Sequence, residues 1–96
     1  MNYELGFSAK ALKEWKKLGS SLRNQFAKKL DERLRNPHVP SAQLHDLPNC
    51  YKIKLRSAAY RLIYRVEDDA LLVLVIAVGR TERSEAYKSA ARRIGS

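Results

Sequence analysis

Three apolar segments follow one another between residues 51 and 78, with only a few residues between them. They are Tyr51–Arg56, Tyr60–Val66 and Leu71–Val78, and the acidic run Glu67-Asp68-Asp69 separates the last two. Strands joined by such short connections run antiparallel, because parallel neighbours need a crossover of a dozen residues or more. The third segment lies in an unbroken apolar run, Ala70–Val78, which is typical of a central strand covered on both faces. We therefore expect an antiparallel meander.

The N-terminal third predicts a short strand followed by two helices. Tyr3–Phe7 alternates apolar and polar residues. Ser8 is a good N-cap for a first helix that ends at Gly19, and Ser20 is expected to cap a second helix that runs to about Arg35. The connection is so short that the two helices should form a hairpin. Their apolar stripes, spaced by three and four residues, are Phe7, Ala11, Trp15 and Leu18 in the first and Leu22, Phe26, Leu30 and Leu34 in the second.

A proline-rich loop and a last helix complete the predicted order. Asn36-Pro37 should stop the second helix, and residues 37–49 hold all three prolines and both histidines. From Glu82 to about Ile94, a thin stripe that includes Ala86 and Ala90 predicts a final helix. The order βααβββα predicts an α+β fold: an N-terminal helical hairpin packed on a small, mainly antiparallel four-stranded sheet, plus a C-terminal helix. Since no linker or repeat is visible, residues 1–96 should form a single domain.

The chain carries a net charge of +9 over 96 residues, which indicates a polyanionic partner. Nucleic acid, an anionic membrane and an acidic protein are the candidate classes. Cys50 is the only cysteine, so no intramolecular disulfide can form and no second thiol is present for a zinc site. The first residues lack the pattern of a signal peptide, and the longest apolar run is too short to span a bilayer. We therefore expect a soluble, cytoplasmic protein with no membrane association.

Five cations in the first two strands of the meander are predicted to share one face. Side chains alternate along a strand, so Lys52, Lys54 and Arg56 point away from the apolar side chains of their strand, as do Arg61 and Arg65 in the next. Neither strand places an Asp or Glu there, although a solvated face normally mixes charges of both signs. Arg offers phosphate a planar fork and Lys a compact charge. The alternative is that the long stems merely cover the sheet while their charged ends reach water.

The hairpin register decides whether the two cationic sets meet, because a slip of one residue would turn a whole strand over. Uniting the apolar sets on one side requires an even loop of two or four residues around Ser57–Tyr60. The predicted cross-strand pairs are Leu55 with Leu62, Ile53 with Tyr64, Arg56 with Arg61, Lys54 with Ile63, and Lys52 with Arg65.

The familiar sets of catalytic residues are missing from the sequence. It contains no Gly-rich phosphate loop and no plausible Cys–His pair. We interpret His38 and His45 as loop residues without chemistry. Glu67-Asp68-Asp69 is interpreted as a solvated turn rather than a cluster of metal ligands, so no metal and no cofactor are predicted.

RNA can still be cut without a metal, through attack of its own 2′-hydroxyl on the adjacent phosphorus. Lys and Arg can stabilise the negative phosphorane, and Tyr can stack on a base or handle a proton. Removing the proton is the demanding step, because lowering a lysine pKa from ~10.4 to ~7 takes about 4–5 kcal/mol. Neighbouring cations and partial burial favour such a shift, and bound phosphates oppose it. A lysine base and a purely electrostatic role of the cations both stay open.

Three stretches together resemble a known family: LKEWKKLGS (Leu12–Ser20), CYKIKLRSAAYRLIYRV (Cys50–Val66) and VGRTERSEAY (Val78–Tyr87). In order and spacing, nearly from end to end, the chain resembles the RelE family toxins of bacterial type II toxin–antitoxin systems, within the RelE/ParE superfamily. The resemblance implies a metal-independent endoribonuclease that enters the ribosomal A site and cuts messenger RNA there. The products would be a cyclic phosphate and a free 5′-hydroxyl, and translation would be inhibited.

The resemblance also implies which residues act. Lys52, Lys54 and Arg61 match the basic residues that hold and stabilise the scissile phosphate, and Tyr87 matches the tyrosine of the C-terminal helix. The second lysine or the tyrosine would help to activate the 2′-hydroxyl. Around these positions, Arg56 and Arg65 are expected to bind RNA.

One position departs from the family pattern. After the glycine the family has Lys-Arg-Glu-Arg, and its first arginine is implicated in catalysis, whereas this chain has Thr81 at the matching place. Arg80 or Arg83 would have to supply the missing cation. Adjacent positions on a strand point in opposite directions, so Arg80 is not an automatic substitute. If neither reaches the site, cutting should be slower than in the archetype.

The implied partners are a cognate RelB-like antitoxin, messenger RNA, and the 70S ribosome at its 30S A site and 16S rRNA. The free toxin should be a monomer and the toxin–antitoxin complex a hetero-oligomer. Leu72, Leu74 and Ile76 share the cationic face, so part of that face needs apolar cover from the C-terminal helix or from an antitoxin helix. Two other functions remain open: a ParE-type toxin that inhibits DNA gyrase by protein binding, and a nucleic-acid-binding module without chemistry.

Overall fold

The computed structural model describes residues 2–55, 57–81 and 85–95. Its elements are β1 (Glu4–Phe7), α1 (Ala9–Lys16), α2 (Ser20–Arg35), β2 (Cys50–Leu55), β3 (Tyr60–Glu67), β4 (Leu72–Arg80) and α3 (Glu85–Gly95), with 3-10 turns at Pro40–Ala42 and Asp68–Ala70. Within these residues the strands form one sheet in the order β1-β4-β3-β2, in which β1 is parallel to β4 and the other neighbours are antiparallel. The predicted α+β fold, its element order and the central place of the most apolar strand are confirmed.

Helices α1 and α2 form the predicted hairpin, and their apolar stripes face the sheet. The Ser8 hydroxyl accepts a hydrogen bond from the Ala11 N–H at 3.2 Å, which confirms the predicted cap of α1. Helix α2 already includes Ser20 and has Gly19 as its N-cap, so the prediction that Ser20 would cap it is wrong by one position. Glycine is itself an acceptable N-cap residue. Phe26, in the middle of the α2 stripe, is fully buried.

The register of the β2–β3 hairpin differs from the predicted one by two residues. Leu55 pairs with Tyr60, so the four residues 56–59 connect the strands, one position earlier than the predicted pairs required. The observed register stacks Tyr51 on Tyr64, with ring centroids 5.6 Å apart. Such an aromatic pair contributes about 0.5–1.5 kcal/mol beyond its buried area, which the predicted register would forgo. The predicted partners are therefore wrong, but the even loop and the predicted faces of the described residues of β2 and β3 are confirmed.

The two faces of the sheet are buried by different elements. One face packs against the helical hairpin and includes Ile53, Leu62 and Tyr64, each at most 1% exposed. Fully burying an apolar side chain of this size stabilises the fold by about 1.5–3 kcal/mol. The other face, which includes Ile63 and Ile76, packs against α3 and against Leu44 and Leu47 from the loop before β2. Helix α3 thus provides the apolar cover that the sequence required on the cationic side.

The part of α3 that touches the sheet is small. Its fully buried residues are Ala86 and Ala90, and Ile94 is half-buried. This confirms the predicted stripe of the last helix. The predicted start at Glu82 lies outside the described residues. Because alanine side chains bury little area, apolar contact alone holds α3 only weakly.

Strand β4 contains one residue more than its partner β3. Tyr64 pairs with Val75 and Ile63 with Ala77, so Ile76 has no partner on β3. This β-bulge turns both Ile76 and Ala77 towards α3. Among the described residues, none of the helices has the length and apolar character needed to cross a membrane.

Candidate functional site

Lys54 and Arg61 are direct cross-strand partners at the turn end of the β2–β3 hairpin, one pair before the connection. Directly opposed residues have Cβ atoms about 4.5–5.5 Å apart, and two like charges at that separation destabilise a sheet. Lys52 lies two residues earlier on β2 and therefore on the same face as Lys54. We call Lys52, Lys54 and Arg61 the cation cluster. The prediction that these three residues lie on one side of the sheet is confirmed.

Arg61 has a donor that the described protein does not use. Its Nε–H is buried and has no hydrogen-bond partner in the part of the chain that the structure describes. Leaving a buried donor unsatisfied costs about 1–3 kcal/mol, and more for a charged group. On β4 the partner of Arg61 is Gly79, which has no side chain to contact it. An anion that entered here would satisfy the donor and relieve the repulsion from Lys54.

The backbone of Lys52 is held from the other side of the sheet by α2. Arg33 Nη1 donates to the Lys52 carbonyl at 3.1 Å and to the Tyr64 hydroxyl at 2.9 Å, and its guanidinium lies 5.7 Å from the centre of the Tyr64 ring. Sequence reasoning missed this support, because Arg33 is one of several cations on a predominantly polar helix. No local pattern distinguishes it from its neighbours.

Tyr87 lies on α3, the helix that covers the face of the cation cluster, and packs beside the apolar residues that include Ile63. Its hydroxyl donates to the Asp46 carboxylate at 2.8 Å. That hydrogen bond, with smaller effects from burial and from the negative charge of Asp46, raises the pKa of the Tyr87 phenol. In this arrangement the phenol is a proton donor. Asp46 lies 41 positions away along the chain, and nothing in the sequence indicated that it would hold the tyrosine.

The Arg80 side chain leaves β4 on the face of the sheet opposite the cation cluster. It pairs with Tyr60 across β3 and β4, and its guanidinium carbon lies 5.9 Å from the centre of the Tyr60 ring. The backbone N–H of Arg80 donates to Glu85 Oε1 at 3.0 Å. The geometry therefore agrees with the expectation that Arg80 is not an automatic substitute for the family arginine. Arg83 and Arg56, the other two cations predicted here, lie outside the described residues.

Arg65 shares the face of the cation cluster but lies at its far end. It is four residues from Arg61 along β3, or about 13 Å, and its Nη2 donates to Glu67 Oε1 at 3.5 Å. The prediction that this face carries no acid is therefore wrong at the Arg65 end. The expectation that Arg65 binds RNA stays a prediction.

Next to Lys54 the edge of the sheet forms an open depression of about 400 Å³. It reaches across to α2, so the exposed Lys29 of that helix borders the cluster. Its lining residues are Gln25, Lys29, Lys54, Leu55 and Ser57. Among residues 2–55, 57–81 and 85–95, no three His, Cys, Asp or Glu side chains come close enough together to hold a metal ion.

His38 proves to have a structural role. Its two ring nitrogens lie 2.9 Å from the Tyr51 hydroxyl and 2.8 Å from Asp68 Oδ1, and Tyr3 donates to the same carboxylate oxygen at 2.6 Å. These hydrogen bonds from Tyr3 and His38 lower the pKa of Asp68. The network joins the start of β1, the proline-rich loop and the β3–β4 turn. It lies at the end of the sheet away from the Lys54–Arg61 pair.

Comparisons with known proteins agree with this geometry. A family model described as the ParE toxin of the parDE type II toxin–antitoxin system matches residues 5–85. The chain is 53% identical over 94 residues to the mRNA interferase toxin RelE of Escherichia coli (strain K12), which covers 98% of this chain and 99% of that protein. The chain belongs to the RelE family of toxins. This RelE family chain also matches the mRNA interferase RelE of Shigella flexneri, again at 53% identity with 98% and 99% coverage.

Solved structures of RelE toxins share the whole fold. The free E. coli toxin RelE, as a variant with two arginines replaced by alanine, superposes with a TM-score of 0.90 at 52% identity, covering 98% of this chain and 99% of that one. A chain of the intact E. coli RelBE toxin–antitoxin complex gives a TM-score of 0.80 at 52% identity, covering 81% and 95%. The RelE fold expected from the sequence is thus confirmed over nearly the full length.

Proposed function

We propose that this chain is the toxin of a type II toxin–antitoxin system and cleaves messenger RNA in the ribosomal A site. The observation that carries the proposal is the Lys54–Arg61 pair with its unsatisfied Nε–H. It occurs in a chain 53% identical to a protein named as an mRNA interferase. Two opposed cations and an unused buried donor make a poor surface for a protein that binds nothing anionic, and a good one for phosphate.

The proposed reaction is an in-line transfer at one phosphate of the message. The 2′-oxygen forms a bond to phosphorus, and the bond from phosphorus to the 5′-oxygen breaks. The proton of the 2′-hydroxyl passes to a base, and the departing 5′-oxygen receives a proton. The products are a 2′,3′-cyclic phosphate and a free 5′-hydroxyl, and no other reactant is needed.

The cation cluster supplies the electrostatic part of this mechanism. Lys54 and Arg61 bind the non-bridging oxygens of the phosphate and stabilise the extra negative charge of the phosphorane. Lys52 holds the neighbouring phosphate or shares this role. Donors fixed in place before the reaction cost no reorganisation when charge develops, and removing one such donor typically lowers the rate about 10²–10³-fold. The brace from Arg33 to the Lys52 carbonyl supports such preorganisation.

The two proton transfers are assigned to different residues: Tyr87 donates a proton, and a lysine accepts one. In the free chain the Tyr87 hydroxyl donates to Asp46, so binding of RNA would exchange that acceptor for an oxygen of the substrate. The phenol is protonated in the free chain, so it suits donation to an oxygen more than removal of a proton. The family arginine is replaced by Thr81, and Arg80 starts on the far face. Arg83 therefore becomes the candidate for charge at the leaving group, with slower cutting expected than in the archetype.

The partners follow from the same proposal. They are a RelB-like antitoxin, which binds the toxin in a hetero-oligomer, and the 70S ribosome, whose 30S A site and 16S rRNA would receive a free, monomeric toxin. The net charge of +9 fits an RNA-lined site. Action on ribosomes would place the protein in the cytoplasm. Arg56 and Arg65 would bind RNA around the cut.

Primer extension on a messenger RNA, with and without assembled ribosomes, tests the proposal. Wild type should cut only when ribosomes are present, and Lys54→Ala should abolish the cuts without unfolding the protein. Lys28→Ala removes the same charge from an exposed position on α2 and should cut like wild type. Absence of ribosome-dependent cutting by wild type, combined with growth arrest that survives Lys54→Ala and Arg61→Ala, would replace the proposal by a gyrase-directed toxin of the ParE type.

A further inference from the structure

Strand β4 extends beyond the strand that flanks it on one side. Strand β1 ends at Phe7, and the last backbone hydrogen bond along this side joins the Ser8 N–H to the Val75 carbonyl at 3.0 Å. The chain then turns away into α1. From Ile76 onwards this side of β4 has no strand neighbour in the part of the chain that the structure describes. A strand edge of this kind exposes donors and acceptors that need partners.

Two charged side chains take the place of the missing neighbour. Glu14 Oε1, from α1, accepts a hydrogen bond from the Val78 N–H at 3.1 Å. Arg93, from α3, donates from Nη1 to the carbonyl of Ile76, the extra residue of the bulge. The two side chains also bind each other, with 3.1 Å between Nη1 and Oε1 and 3.2 Å between Nη2 and Oε2. The pair therefore presents an acceptor and a donor to β4, as a strand would.

This pair ties α3 to the sheet at the helix end where apolar contact is thin. The Arg93 side chain is 21% exposed and that of Glu14 is 30% exposed. The first turn of α3 has its own ties, because Gly79 lets Ala86 approach and Glu85 accepts from the Arg80 N–H. Tyr87 lies between the two sets of ties.

We propose that Glu14 and Arg93 are positioning residues: they replace the missing strand beside β4, fix α3 against the sheet, and so hold Tyr87 on the face of the sheet that carries the cation cluster. This inference rests on the proposed nuclease function for its effect on cutting. The fixing of α3 itself does not depend on that function. A partly exposed ion pair gains little net stability from its charges alone, whereas the hydrogen bonds to β4 give it a fixed geometry.

The first experiment distinguishes a positioning role of Glu14 and Arg93 from an effect on the stability of the whole protein. Arg93→Ala and Glu14→Ala should each speed hydrogen exchange of the Val78 amide and of the last two turns of α3. Each should also lower the single-turnover cleavage rate on ribosomes, by up to about a hundredfold, the cost of displacing a reacting group by roughly 1 Å. The toxin concentration that half-saturates the ribosomes should stay unchanged. In a Tyr87→Phe background, Arg93→Ala should have no further effect on the rate.

A charge exchange tests the strand-like role directly. Glu14→Arg combined with Arg93→Glu keeps the ion pair but sets a donor against the Val78 N–H and an acceptor against the Ile76 carbonyl. The doubly exchanged protein should cleave no faster than Arg93→Ala, and its α3 amides should be no better protected from hydrogen exchange. Rescue by the exchange would overturn the strand-like role and leave a simple ion pair.

Arg92→Ala is the matched control, because it removes the same charge from the neighbouring, exposed position of α3. It should leave both the rate and the hydrogen exchange as in wild type. Unchanged exchange of α3 in Arg93→Ala would overturn the inference, as would a rate loss of the same size in the Tyr87→Phe background. If wild type does not cut at all, the proposed function falls, and the exchange experiment alone decides whether Glu14 and Arg93 fix the helix.

Discussion

Arg61 lies directly opposite Gly79 across β3 and β4. A Cβ atom at position 79 would stand 2.8 Å from the Glu85 Cβ and 3.0 Å from the Ala86 backbone nitrogen. The missing side chain therefore does two things at once. It lets α3 approach the sheet, and it keeps the space beside the Arg61 guanidinium free of a neighbouring side chain from β4.

Gly79→Ala should lower the free energy of unfolding by about 1–3 kcal/mol, because the added methyl group meets backbone and Cβ atoms that cannot simply rotate away. Urea denaturation followed by far-UV circular dichroism measures the effect. Gly19→Ala is the control: nothing lies within 4 Å of its Cβ position, so stability should change by less than about 1 kcal/mol. Equal losses in the two variants would show that contact with α3 is not the cause.

Arg61→Met should abolish cleavage and at the same time raise the free energy of unfolding by about 1 kcal/mol. The substitution removes a buried donor without a partner in the described protein and a charge opposed to Lys54. Ribosome-dependent primer extension and urea denaturation are the two measurements. Arg35→Met removes an exposed arginine that pairs with Asp31 at 2.7 Å and should change stability by less than about 0.5 kcal/mol. A less stable Arg61→Met would mean that the arginine holds the fold together.

Asp46→Asn should lower the pKa of Tyr87 towards the ordinary value of tyrosine. The hydrogen bond to the Asp46 carboxylate is the main reason that this pKa is raised, and the amide also removes the negative charge. Titration of tyrosine carbon signals by NMR measures the shift, and Tyr87→Phe assigns the signal. An unchanged titration in Asp46→Asn would show that the two groups do not interact in solution.

Cys50 should make the protein lose stability in the alkaline range. Burial raises the pKa of its thiol from 9.0 to about 11, against a smaller opposing effect of Arg65. A pKa raised in the folded state gives stability that is complete below about pH 9 and is lost as the pH rises to about 11, on the order of 2–3 kcal/mol.

Urea denaturation at several pH values, in wild type and in Cys50→Ala under reducing conditions, checks this slope. Buried tyrosines such as Tyr64 also have raised pKa values and act in the same direction in both proteins. The difference between the two curves therefore isolates the thiol. Parallel curves above pH 9 would contradict the prediction.

The helices and the sides of the strands could be predicted because local periodicity encodes them. The stripe through Phe26 and Leu30 and the alternation around Ile53 each follow from burial of one face. The register could not be read in the same way, because registers that differ by two residues expose identical faces. Ala59, with φ of 54° in the left-handed region, forms part of the observed turn, and alanine gives no turn signal there.

The same distinction between local patterns and distant contacts applies to the candidate site. Lys52, Lys54 and Arg61 were predictable because their common face follows from strand parity and a charge pattern. The contacts that hold the site, such as Tyr87 with Asp46, join side chains far apart in the sequence. The bulge at Ile76 was hidden because an unbroken apolar run has no alternation that an extra residue could disturb.

That single extra residue selects the neighbour of Arg61. Leu74 pairs with Arg65, so in a strand without the bulge Ile76 would pair with Ile63 and Val78 with Arg61, and Gly79 would turn towards the helical hairpin. Ile76 shifts the register of β4 by one position, so Gly79 lies opposite Arg61 where Val78 would otherwise lie. The side chain that flanks Arg61 thus depends on the number of residues in β4, and deleting the bulge would set an isopropyl group beside the guanidinium.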